Sequence, residues 1–147
     1  MVCHAPVDVI DQVRRFYDEL WNGPDLSLVG ALLHPDVTFR GSLGDTLVGH
    51  EAFAGYVRSV TDALGDYRCE IVDLVASPDI GADTGDGRKV AARMLFSGTH
   101  RGVFLGVPPT GARVSWAGAA FFTFSGPVVR DLWVLGDLAS LRSQLSR

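Results

Sequence analysis

The chain has 147 residues, 47% of them hydrophobic and 20% charged, with a formal net charge of −4. That length suits a single domain with its own core, and the composition excludes a disordered chain. No run of Lys or Arg reaches three and no apolar stretch nears about 20 residues, so neither a nucleic-acid surface nor a membrane span is expected.

In chain order, the first helix is marked by Val9, Val13, Phe16, Tyr17, Leu20 and Trp21, an apolar stripe at helical spacing. Asp8 is placed to cap it, and Asn22-Gly23-Pro24 ends it. A short second helix is predicted over 25–33, stopped by His34-Pro35. Val37 to Arg40 alternates as a short strand, and 41–49 reads as loop. A third helix runs from about His50 to Leu64, with Phe53, Tyr56, Val57, Val60 and Leu64 on one side. The start carries no basic segment leading into an apolar one, so no secretory signal is expected.

From Tyr67 the period changes to two. Strands are predicted over 67–76, 89–101, 113–124 and 128–136, and a C-terminal helix over 138–145. The loop between the first two of these strands carries Asp79, Asp83 and Asp86 at a spacing that fits a solvated turn and no calcium loop. Helices first and consecutive strands after define an α+β domain, with an antiparallel sheet packed on three N-terminal helices. Strands of this length twist, so the sheet curls around a pocket. Val114, Trp116, Ala120, Phe122 and Phe124 share one face of their strand, and Ala117, Ala119 and Phe121 the other. A sheet apolar on both faces needs two covers. Helices supply the concave one, and a second copy of the chain on the convex face, hence a homodimer, is the simplest source of the other.

Several residues invite a chemical reading. Arg93 sits inside the apolar strand Val90 to Phe96, where a charge needs a partner or solvent. It is either a pocket cation that holds an oxyanion or an outward side chain over the convex face. His100 is either a general base at the pocket mouth or a solvated loop residue. Asp137 is either an N-cap of the last helix or the partner of Arg93 or His100. Tyr17, Trp21, Phe39, Tyr56, Phe104, Trp116 and Trp133 are the aromatic candidates for the pocket wall, while Arg40 is expected to point away from it. His4, His34 and His50 read as terminal, turn and capping residues. Cys3 and Cys69 lack metal-ligand spacing and read as free thiols of a cytoplasmic protein.

The segments Gly98-Thr99-His100-Arg101-Gly102, Pro108-Pro109-Thr110-Gly111 and Trp133-Val134-Leu135-Gly136-Asp137, with Gln144-Leu145 after them, resemble SnoaL-like polyketide cyclases of the nuclear transport factor two-like superfamily. The resemblance implies a cone-shaped cavity, often in a dimer. It also implies cofactor-free and metal-free acid/base chemistry that cyclises or isomerises a polyketide-like or other small hydrophobic cyclic substrate. The His and Asp that serve those cyclases align here with Ala120 and Val134, which carry no proton. Limonene epoxide hydrolases share the cone and use an Asp-Arg-Asp set. Arg93 matches its Arg, and Leu95 and Val134 replace its carboxylates. The carboxylate base of ketosteroid isomerases falls near Gly41. The implied alternatives are therefore a cyclase or isomerase that uses Arg93, His100 and Asp137, a non-catalytic binder of small molecules, and an epoxide hydrolase-like enzyme.

Overall fold

The computed structural model describes residues 8–42, 44–78 and 87–146. Cys3, His4 and the acidic loop residues Asp79, Asp83 and Asp86 lie outside the described residues.

Helix α1 (Val9–Arg15) is capped by Asp8, whose carboxylate accepts from the Ile10 N–H. It passes directly into a π-helical turn (Phe16–Trp21). There the Asn22 N–H reaches the Tyr17 carbonyl, five residues back, at 2.9 Å. The wider turn lets Phe16, Tyr17, Leu20 and Trp21 all face the core, where each is at most 5% exposed. A 3-10 turn (Leu26–Leu28) and helix α2 (Val29–Leu32) follow. The predicted second helix is shorter than its sequence pattern. Leu33 is already extended, so β1 (Leu33–Arg40) runs through His34-Pro35. The register between β1 and β6 slips between Leu33 and Thr38, which accommodates a proline that cannot donate to the ladder. Strand β2 (Thr46–Val48) forms in a segment expected to be loop. Helix α3 (His50–Ala63) and strands β3 (Leu64–Ala76), β4 (Lys89–His100), β5 (Arg113–Ser125) and β6 (Val128–Gly136) match their expected positions, with helix α4 (Leu138–Leu145) last.

The six strands form one open sheet in the order β2-β1-β6-β5-β4-β3. The expectation of a wholly antiparallel sheet holds for every pairing except β1 with β6, which is parallel. The helical segment before β1 fixes its direction, so it enters beside β6 in the same sense. Extra residues in β3 and β6 shift the register and add local bend to the ordinary twist. Asp66 absorbs one of these shifts with φ of 50°, a conformation that Asp tolerates better than most residues.

Two side-chain amides close strand edges. The Asn22 amide donates to the Cys69 carbonyl (2.9 Å) and accepts from its N–H (2.8 Å), which ties the π-helical turn to the free edge of β3. Gln144 of α4 does the same to Ser115 of β5, at 2.7 and 2.9 Å. The helices pack on part of the concave face. Phe122 is fully buried against Phe16 and Tyr17, with ring centroids 5.4 and 5.9 Å away. Edge-to-face pairs of this kind add about 0.5–1.5 kcal/mol each beyond their buried area. No helix among the described residues is long and apolar enough to cross a membrane.

Candidate functional site

The helices leave part of the concave face uncovered, and a small aromatic chamber opens there. The π-helical turn contributes Phe16, Tyr17 and Trp21, and α3 contributes Tyr56 and Val60. Phe39 and Ser42 come from β1 and its end, Tyr67 and Cys69 from β3, and Phe96 and Trp116 from β4 and β5. Leu132 and Val134 of β6 and Phe104 of the β4–β5 loop complete the wall. Phe104, Tyr56 and Val60 also border a second, outer space lined by Gly41, Asp45, Leu47, Ser59, Val103 and Leu105. The outer space therefore adjoins the inner one, with these three side chains between them.

Among the described residues, no charged side chain lines the inner chamber. Its polar groups are the phenols of Tyr17, Tyr56 and Tyr67, the Cys69 thiol, the Ser42 hydroxyl and the indoles of Trp21 and Trp116. Burial raises the Tyr17 and Tyr67 phenols well above the usual 10.0, and the neighbouring Cys69 adds to the effect. The same causes push Tyr56 up to about 12. Burial pushes the Cys69 thiol up to about 12, opposed in part by the Tyr67 hydroxyl and Arg68. All four groups are neutral at physiological pH. The hydroxyls of Tyr17 and Tyr56 have no hydrogen-bond partner among the described residues, and both face the chamber. Unpaired donors in an apolar wall are costly to keep, and a carbonyl oxygen of a bound molecule would satisfy them. Gly41 makes room for one of them, since a Cβ there would lie 2.7 Å from the Tyr56 hydroxyl.

Six of the seven expected wall aromatics line the chamber: Tyr17, Trp21, Phe39, Tyr56, Phe104 and Trp116. Trp133 does not. It is 38% exposed on the outer face of β6, packed on Phe121 at 5.8 Å, with the Arg40 guanidinium 5.3 Å above its ring. Arg40 points away from the cavity, as expected. Arg93 is also on the outer face, because its neighbours Ala92 and Met94 take the inward positions of β4. It cannot serve as the pocket cation. Asp137 caps α4 by accepting from the Ser140 N–H at 3.1 Å, and it pairs with neither Arg93 nor His100. His100 is fully buried, neither solvated nor part of the chamber wall. Its Nδ1 accepts from the Thr110 N–H at 3.2 Å, and its Nε2 lies 3.1 Å from the Val107 carbonyl. Both ring nitrogens are thus committed, with the proton on Nε2.

Sequence reasoning missed Tyr67, Cys69 and Phe96 as wall residues. The signal was the period-two pattern, which aligns Tyr67 and Cys69 with Ile71, and Phe96 with Met94. Ala120 and Val134 are direct partners across β5 and β6, both inward, and Val134 lines the chamber. The positions matched to the family's acid/base pair are therefore side by side at the cavity and apolar.

Solved structures share this architecture. A candidate SnoaL-like polyketide cyclase from Jannaschia sp. CCS1 superposes with a TM-score of 0.82 at 19% identity, over 99% of this chain and 98% of that one. TsrD from Streptomyces laurentii gives 0.77 at 26% identity, over 93% of each chain. IdmH, a candidate polyketide cyclase from Streptomyces antibioticus, gives 0.77 at 23% identity, over 95% of this chain and 99% of that one. No curated protein matches the sequence. The family model for SnoaL-like polyketide cyclases matches residues 11–145, nearly the whole chain, and with the curved sheet and its chamber this establishes that the chain belongs to that family.

Proposed function

We propose that the chamber binds a small, neutral, hydrophobic carbonyl compound of polyketide type and promotes its cyclisation or isomerisation without a cofactor. The observation that carries this reading is the pair of unpartnered hydroxyls, Tyr17 and Tyr56, in a wall without charge. Two neutral phenols donating to one carbonyl oxygen stabilise the enolate that forms when the adjacent carbon loses its proton, and the dry wall strengthens both bonds. Proton transfer falls to water or to the substrate's own hydroxyls, because the described wall residues offer no carboxylate or imidazole. Epoxide opening loses its main support, since Arg93 is on the outer face.

A second reading, a binder without catalysis, is favoured by the apolar pair Ala120 and Val134. One experiment separates the two. Neutral aromatic polyketides with a free carbonyl are titrated by tryptophan fluorescence, and ring closure is followed by chromatography against a buffer control. Binding with acceleration supports the enzyme, binding without it supports the carrier, and absence of binding across the panel overturns both.

The reading includes assembly and location. Phe121, Trp133 and Leu135 expose apolar surface on the convex face of the sheet, and a second copy of the chain would cover it. A reducing, cytoplasmic setting suits the free Cys69 thiol inside the ligand wall.

A further inference from the structure

The loop between β4 and β5 folds into a miniature hairpin. Phe104 and Val107 exchange both backbone hydrogen bonds, at 2.9 and 3.0 Å. The two residues between them, Leu105 and Gly106, have φ of 51° and 76°, the signs of a type I′ turn. Leu105 accepts a left-handed conformation that its side chain disfavours, so the turn is held by its surroundings as well as by its sequence. One foot of the hairpin hangs from the end of α3, where the Arg101 and Gly102 amides both donate to the Ala63 carbonyl at 2.9 Å. Gly102 permits that approach, since a Cβ there would lie 3.1 Å from the Asp62 carbonyl oxygen. The other foot is held by the His100 ring, through Val107 and Thr110. The hairpin carries Phe104, which is 5% exposed and stands between the chamber and the outer space.

We infer that His100 is the positioning residue of the chamber's gate: its Nε2–H bond to the Val107 carbonyl holds the Phe104 hairpin between the chamber and the outer space. The inference rests on the reading of the chamber as the ligand site. His100 does not line the chamber, so it acts through the hairpin. The gate sets access and exchange, and the wall beneath it sets affinity.

The test uses three variants in a Trp133→Phe background, which leaves Trp21 and Trp116 as reporters inside the chamber. His100→Gln keeps an amide N–H in reach of Val107. His100→Asn keeps an acceptor near the Thr110 amide and loses the reach to Val107. Phe104→Ala removes the gate and leaves His100 in place. Quenching by acrylamide is expected to rise at least twofold in His100→Asn and Phe104→Ala and to stay near the parent value in His100→Gln. Stopped-flow exchange of 1-aminoanthracene, a small neutral apolar probe, is expected to speed up in the same two variants; in His100→Asn, which leaves every wall residue in place, association and dissociation change together and Kd stays nearly constant. Equal quenching in His100→Asn and His100→Gln overturns the inference, as does a Phe104→Ala variant that quenches like the parent. A wild-type nitrogen NMR spectrum with the His100 proton on Nδ1 overturns it without any variant, so a His100→Asn chain that fails to fold does not shelter it. If aminoanthracene does not bind at all, the ligand-site reading fails, while the quenching result still decides the gate.

Discussion

Replacing Tyr17 or Tyr56 with Phe separates the proposed role of the hydroxyls from that of the rings. Tyr17 is 2% exposed, and its ring packs on Phe16 at 5.0 Å and on Phe122 at 5.9 Å. Phe keeps those contacts. Truncation to Ala would forfeit them at about 3–5 kcal/mol and would say nothing about the hydroxyl. Because the hydroxyl has no partner among the described residues, its removal loses no hydrogen bond there and relieves some desolvation. Urea unfolding of Tyr17→Phe and Tyr56→Phe is therefore expected to show stability unchanged within about 0.5 kcal/mol, or raised by up to about 1 kcal/mol. Function moves the other way. A hydroxyl that only binds the ligand carbonyl contributes about 0.5–1.5 kcal/mol, a two- to tenfold weakening on removal. One that meets a developing oxyanion contributes about 2.7–4 kcal/mol, a fall of about 10²- to 10³-fold in kcat. The reasoning is refuted if Tyr17→Phe destabilises the fold by more than about 1 kcal/mol, for then the hydroxyl has a structural partner.

Alkaline pH gives a second test. Cys69 and Tyr56 ionise near 12 in the fold against ordinary values of 9.0 and 10.0, and Tyr17 and Tyr67 are also raised. Folded values above unfolded ones mean that this stability is complete below about pH 9 and is lost as pH rises from 9 towards 12, by about 1.4 kcal/mol per pH unit for each group ionised only in the unfolded chain. Urea titrations from pH 7 to 11 should show a plateau and then a fall; equal stability at pH 8 and 11 contradicts the burial of these groups. The outer face gives a third. Sedimentation of the wild type should show a dimer at micromolar concentration, and the double variant Phe121→Lys/Leu135→Lys should be a monomer that still binds aminoanthracene. A monomeric wild type sinks the assembly proposal.

Much of the architecture is written in local periodicity. The stripe from Val9 to Trp21, the capping Asp8 and Asp137, and the alternation of β4 to β6 each follow from near-neighbour sterics and solvation, which act within a few residues. Even the absence of an acid/base pair is local information, since Ala120 and Val134 cannot titrate wherever they point. Alternation says which residues share a face, but it does not say which face is inside. On β6 both faces are apolar, so Trp133 could be given to either side until pairing with β1 and β5 fixed it outside. Arg93 was ambiguous for the same reason. His100 depended on a longer return: the β4–β5 loop must fold back before Thr110 and Val107 can reach the ring, and only that closure turned an apparent mouth residue into a buried anchor. The chamber itself is the extreme case. Its wall comes from two helical segments, five strands and a loop, and the two phenols that define its chemistry sit 39 residues apart in sequence, on helical elements that meet only when the sheet curls beneath them.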